Sequence, residues 1–285
     1  MQRYHSTQIS VLWESIMKQF LTAVVLTLAA QSSNAAECIT NKANFNSYKQ
    51  TLAGTAQANG VGQRGLNALA GARLSGITWR FESNPRNQTG TLQSDPARFL
   101  SKRSGGSADA FITRTRSKIA SNKNTFAALE KRFGVPSSLL ATIWGLETSW
   151  GGYLGKTPIV DGAVTLSSYC RRHPKFQSHS IAALKMIDAG MVPAQKGGGP
   201  SGELGHMQFL AGNWLRFRVD GNGDGRTDPY NAVDALAKAA NMLRQNGWRA
   251  GQPYGEGTAN YNALKSWNDS GNYLRAIVFA AQRAG

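Results

Sequence analysis

Apolar residues recur at helical spacing along most of the chain and alternating stretches are few, a pattern that predicts a mainly α protein. The strongest helical signal lies at 134–152, where Pro136, Ser137 and Ser138 mark a start and Gly151 and Gly152 a stop. Within it Leu140, Ile143, Trp144 and Glu147 fall on one stripe, so a carboxylate shares the face that seeks the core. Shorter helical pieces are expected at 48–53 and 66–70, a long one at 110–133, and others at 181–189, 232–246 and 273–283. The run at 110–133 sets Phe111, Ile119, Phe126, Leu129 and Phe133 against Arg114, Arg116, Lys118, Lys123, Lys131 and Arg132. Residues 78–106, rich in Asn, Gln, Ser, Gly and Pro, read as an irregular surface excursion, with loops at 151–162 and 193–202. Gly60, Gly62 and Gly65 match a dinucleotide glycine spacing but follow a helical pattern, not a strand, and read as a turn.

Composition narrows this picture. With 285 residues, 41% hydrophobic and 17% charged, the chain is globular and long enough for a sizeable core. A formal net charge of +16 points to an acidic partner. Met17, Lys18 and Gln19 precede an apolar run at 20–30 and then Ser33-Asn34-Ala35-Ala36, the shape of a secretory signal with cleavage after Ala35 or Ala36 and a start at Met17. That run is too short to serve as a transmembrane anchor, and Glu37 ahead of Cys38 disfavours lipid attachment there. An exported chain argues against nucleic acid as the partner. It also argues for a bond between the only two cysteines, Cys38 and Cys170. The expected organisation is a signal peptide at 1–36, a helical region at 37–133 packing on the core, and a catalytic core at 134–285.

Candidate chemistry centres on Glu147. Desolvation on an apolar stripe raises a carboxyl pKa and keeps the acid able to donate a proton. His5, His173, His179 and His206 have no metal-ligand spacing, and no serine or cysteine nucleophile signature is present. A carboxylate acting on sugar remains. A second segment, 219–229, places Asp220, Asn222 and Asp224 at alternate positions before Gly225, as in the first half of an EF-hand loop. Asn231 stands where the closing glutamate would be, leaving Asp228 or Asp234 to complete a calcium shell. A third, 202–210, sets Gln208 among glycines, where backbone can approach a ligand. Trp267 and Asn268 pair an aromatic with an amide before the last helix.

The order of these features resembles the lytic murein transglycosylase B family: Gly-Val-Pro, then Trp144-Gly-Leu-Glu147-Thr-Ser-Trp-Gly, Cys170-Arg171-Arg172, Gly202-Glu-Leu-Gly-His-Met-Gln208-Phe, the Asp220 loop, Asn246-Gly247-Trp248 and Trp267-Asn268. The likeness runs from about Cys38 to the C-terminus and is specific from about residue 134. It implies a lysozyme-like helical catalytic domain with an N-terminal helical extension and an EF-hand-like loop. It further implies that Glu147 cleaves the β-1,4 bond between N-acetylmuramic acid and N-acetylglucosamine in peptidoglycan, as acid and then base, giving 1,6-anhydro ends. By the same likeness Gln208 lines the cleavage subsite, Asn268 and Tyr273 flank it, and Arg171 and Arg172 suit muramyl-peptide carboxylates. Glu203 is counted with the substrate-binding residues; with Asp161 it is also the candidate second carboxylate of a rival hydrolase. The likeness assigns a structural calcium to Asp220, Asn222, Asp224, the Arg226 carbonyl and Asp234, and no cofactor to catalysis. Met242 and Pro200 depart from the aromatic residues that relatives carry there. The expected setting is periplasmic or secreted, with glycan strands and cell-wall or secretion machinery as partners. A non-catalytic wall-binding protein is the reading from another class.

Overall fold

The computed structural model describes residues 37–84 and 95–285; the leader expected at 1–36 lies outside the described residues. A 3₁₀ turn at Lys42–Asn44 leads into α1 (Phe45–Ala58), α2 (Gln63–Gly71), α3 (Gly76–Ser83), α4 (Pro96–Ser104), α5 (Ala108–Ser121) and α6 (Lys123–Phe133). The central α7 (Ser137–Thr148) follows, then α8 (Ile159–Ser168), α9 (Gln177–Asp188), α10 (Ala211–Phe217), α11 (Ala232–Gln245), α12 (Ala259–Leu264) and α13 (Gly271–Ala284). Sheet is confined to a two-residue antiparallel pair, β1 (Thr157–Pro158) on β2 (Gly197–Gly198), in register Thr157 to Gly198.

The helix at 134–152 forms, with ends set differently from the sequence signals. Pro136 is the cap residue itself, and the Glu130 carboxylate on α6 accepts the Ser137 amide at 3.0 Å in place of a serine cap. At the other end the helix stops at Thr148, because Ser149 and Trp150 already adopt left-handed backbone, φ 51° and 57°, ahead of the glycine pair. That turn folds Trp150 back so that its indole N–H donates to the Ala141 carbonyl at 2.9 Å. Gly145 makes this possible: a Cβ there would lie 2.5 Å from the Trp150 ring. With nearly every residue from Ser138 to Leu146 buried, α7 is a core helix clad by α5, α6, α11 and α13.

Three sequence expectations are corrected. The excursion expected at 78–106 contains α3 and α4, started by Ser75, whose side chain accepts the Thr78 amide, and by Asp95-Pro96, where Asp95 accepts the Arg98 amide. The run at 110–133 is two helices, divided at Asn122. The loop expected at 151–162 ends early, since α8 begins at Ile159. Around Gly60 and Gly62 the chain makes a turn into α2, whose first amides, Gly62 and Gly65, are held by the Asp188 carboxylate at 3.1 Å each. Cys38 and Cys170 are bonded, and Ile39 pairs with Tyr169 beside them, so the described chain enters the fold against the end of α8.

Candidate active site

The last turn of α7, the turn before α10 and the segment before α13 meet around a cavity of about 460 Å³. Glu147 reaches it from α7, half-buried between the buried residues Leu146 and Thr148. Burial pushes its carboxyl above the ordinary carboxylate value; the Tyr273 hydroxyl and the Arg103 charge act in the opposite sense, and the Glu203 charge adds to the rise. Tyr273, on α13, donates its hydroxyl to Glu147 Oε1. Burial and the adjacent carboxylate hold that phenol well above the usual tyrosine range, so it stays a donor. The arrangement therefore favours a carboxyl that holds a proton to give and steadies the carboxylate left behind.

Gln208 sits at the turn before α10 with φ 47°, an uncommon left-handed backbone for a non-glycine residue. Its amide nitrogen donates to the carbonyls of Gly205 at 2.9 Å and Leu154 at 3.3 Å, so the rest of the amide is fixed toward the cavity. The turn is tied to α7 by Thr148 Oγ1, which donates to the His206 carbonyl at 2.8 Å, and by Trp144 Nε1, which donates to His206 Nδ1 at 3.3 Å. Acid and amide are thereby held by one set of bonds.

Of the residues expected at the site, Glu147, Gln208, Glu203, Asn268 and Arg172 line this cavity; Tyr273 lies behind Glu147, and Arg171 is set back from the lining. Both arginines converge on Glu82 of α3, which is only 2% exposed; Arg172 Nε donates to its Oε2 at 2.8 Å and Arg171 donates to the same oxygen. Asp161 is buried elsewhere, accepting the Arg73 amide at 2.9 Å, and does not line the cavity. Lining residues that went unnoticed in the sequence include Phe81, Glu82 and Arg103. These three lie in the stretch read as irregular, and the Asp95-Pro96 helix start was the available signal for Arg103. Met242 and Pro200 also line the cavity. Beneath the floor, Lys238 is fully buried, its ammonium 3.2 Å from the Phe209 ring centroid and 3.3 Å from Met242 Sδ. Burial holds that amine well below the ordinary lysine value, and among the described residues it makes no ion pair.

The 219–229 loop keeps its expected bend but turns its acids on its own backbone. Asp220 accepts the amides of Gly223 at 2.6 Å and Gly225 at 2.8 Å, which hold its carboxyl below the usual carboxylate range. Asp234, at the start of α11, accepts those of Gly221 and Asp228, both at 2.9 Å. The oxygens are of the hard type that calcium takes, and each accepting oxygen keeps a second lone pair. Among the described residues, however, no three Asp, Glu, His or Cys side chains are gathered as a metal-ligating group. Asp220, Asn222, Asp224, the Arg226 carbonyl and Asp234 therefore match calcium in donor type, while the three carboxylates among them do not gather as one group.

The membrane-bound lytic murein transglycosylase B of Escherichia coli (strain K12) is 36% identical over 121 residues, which are 42% of this chain and 34% of that relative. The match thus spans about a third of the relative's length. Among solved structures, SltB3 from Pseudomonas aeruginosa in complex with NAG-anhNAM-pentapeptide superposes with a TM-score of 0.74 at 20% identity, over 84% of this chain and 79% of that one. The Escherichia coli lytic transglycosylase Slt35 in complex with calcium does so with a TM-score of 0.72 at 21% identity, over 88% and 96%. These likenesses establish the mainly helical, lysozyme-like fold of lytic transglycosylases. A family profile described as the transglycosylase SLT domain matches residues 44–258, well over half the sequence, and the chain belongs to that family.

Proposed function

We propose that the protein is a peptidoglycan lytic transglycosylase that cleaves the MurNAc-β-1,4-GlcNAc bond and leaves 1,6-anhydro-MurNAc ends. The observation that carries the reading is Glu147, a carboxyl whose protonated form burial favours, bonded by Tyr273 at the edge of the cavity. As acid it gives its proton to the glycosidic oxygen while the C1–O bond breaks. As carboxylate it then takes the proton of the muramoyl C6 hydroxyl, whose oxygen bonds to C1 and closes the anhydro ring. No water is consumed and Glu147 ends as it began. Gln208, Asn268 and Arg172 are read as substrate contacts, with Arg171 and Glu82 holding Arg172 for a stem carboxylate.

Hydrolysis of the same bond is the second reading, because Glu203 lines the same cavity. Asp161 is no longer a candidate for it, being committed to the Arg73 amide. Against Glu203 as nucleophile stands its Oε2, which is engaged by the Ser201 amide at 2.8 Å. Digestion of purified cell walls with mass spectrometry of the products separates the two. Anhydro-muropeptides from the native protein, and none from Glu147→Gln, are expected; reducing ends alone would establish hydrolysis. Unchanged wall clearing by Glu147→Gln would leave only a wall-binding role.

The setting that suits this reading is periplasmic or secreted. Among the described residues no helix is long and apolar enough to cross a membrane. The Asp220 loop is read as a structural calcium site that takes no part in the chemistry.

A further inference from the structure

Beyond the cleavage cavity, the C-terminal ends of α4 and α7 border a smaller pocket of about 250 Å³. Arg103 and Glu147 line the first; Ser104 and Ser149, one and two positions further along the chain, line the second. The turn into α5 supplies Gly105, Gly106 and Ser107 to its wall, and Arg114 and Trp150 face it from α5 and from the turn after α7. The proposed reaction gives this pocket no part. Its volume lies below the roughly 300–1,000 Å³ usual for small-molecule sites, which suits a single chain end rather than a run of sugars.

The charge in this pocket has one sign. Among the described residues Arg114 is the only charged side chain that lines it, and none of their carboxylates pairs with Arg114. The guanidinium is nevertheless held in place. Phe111 and Arg114, three apart on α5, share one face and both meet Trp150, the Phe111 ring at 4.9 Å between centroids and the guanidinium carbon at 5.2 Å from the indole centroid. Trp150 is fixed in turn by its N–H on the Ala141 carbonyl. It also stands, with Ser149, in left-handed backbone that is costly for so bulky a residue, a kind of strain that gathers at functional sites. Stacking uses the flat face of a guanidinium and leaves the N–H donors, which lie in its plane, directed outward.

One planar cation with paired donors, serine hydroxyls from two segments, and glycines where a ligand's backbone can come close together fit a chain end that bears a carboxylate. We infer that Arg114 and the pocket it lines bind the terminal carboxylate of a peptide carried by the glycan strand, with Ser104 and Ser149 as flanking hydroxyl donors. The inference rests on the peptidoglycan substrate proposed above and adds a second place where its peptide is read, distinct from Arg172, which lines the cleavage cavity and not this pocket. Because the indole already orders the guanidinium, little side-chain freedom is lost when the carboxylate arrives.

Binding, measured apart from turnover, tests it. Glu147→Gln protein serves as the non-cleaving background for calorimetric titrations. The probes are two peptidoglycan tetrasaccharides with tetrapeptide stems, one ending in free carboxylates and the other in carboxamides. The free acid is expected to bind about tenfold tighter than the amide, as a charge-assisted pair of hydrogen bonds would give. Adding Arg114→Met, which keeps an apolar stem against Trp150, is expected to remove most of that preference while the amide stays within about twofold. Ser104→Glu, at an exposed position, sets a carboxylate before Arg114 and is expected to do the same without touching the stacked residues; it decides alone if the methionine variant fails to fold. A preference for the acid that survives both variants overturns the inference, as does an equal loss for the two probes. A wall digest yielding anhydro ends alongside a surviving preference would sink this inference and leave the transglycosylase reading standing.

Discussion

At the scale of single residues, two conflicting demands meet at Glu147. Burial that favours its protonated form for donation also makes its charged form costly, so the fold is less stable once the acid ionises. Its folded pKa is raised, so the stability it contributes is complete below the unfolded value and is lost as pH rises through the folded one. Glu147→Gln should therefore abolish product formation and raise stability at pH 7 to 8 by about 1 kcal/mol, seen as a higher Tm, with the gain vanishing near pH 4; thermal melts across pH check this. Tyr273 works in the other direction. Its hydroxyl favours the carboxylate, so Tyr273→Phe should push the Glu147 pKa higher still. The descending limb of the pH–kcat/KM profile should move to higher pH, with kcat down by about tenfold. Glu147 and Gln208 were legible in the sequence because each sits in a short, chemically unusual segment. The Tyr273 bond was not, since 126 residues separate donor from acceptor and only the fold joins them.

Among elements, the helices that declare themselves by periodicity are those whose inner face is mostly apolar. α7 and α13 were readable in this way, whereas α3 and α4 were not. The inner face of α3 carries Thr78 and the charged Glu82 beside Trp79, and α4 buries only Leu100 along its length. A helix that spends its hidden face on ion pairing erases the pattern by which helices are found. Glu82 then gathers Arg171 and Arg172 at the cavity wall, so α3 is as much part of the site as α7. The Asp220 loop shows the converse: its spacing was plain, but the self-bonding of its acids was not. If calcium draws these oxygens in, 1 mM Ca²⁺ should raise Tm and chelator should lower it, the stability difference reaching about 2.7 kcal/mol where the ion is at a hundred times its Kd. Indifference to both in differential scanning calorimetry would remove the metal.

On the scale of the whole molecule, the bond between Cys38 and Cys170 closes 132 residues and seats the entry of the chain next to the arginine wall. Replacing both cysteines by serine should cost about 2–4 kcal/mol in chemical denaturation. The net charge of +16 acts at longer range. Lowering ionic strength lengthens electrostatic reach from about 8 Å at 0.15 M to about 30 Å at 0.01 M. Co-sedimentation of Glu147→Gln protein with purified walls should accordingly weaken several-fold as salt is raised over that range. One buried group remains useful in its own right. Lys238, shut beneath Phe209 and Met242, carries an amine that acylating reagents reach only when the core opens. Its modification in a native-state labelling time course would lag behind that of the surface lysines and keep time with global opening, making it a built-in clock for the rate at which the fold comes apart.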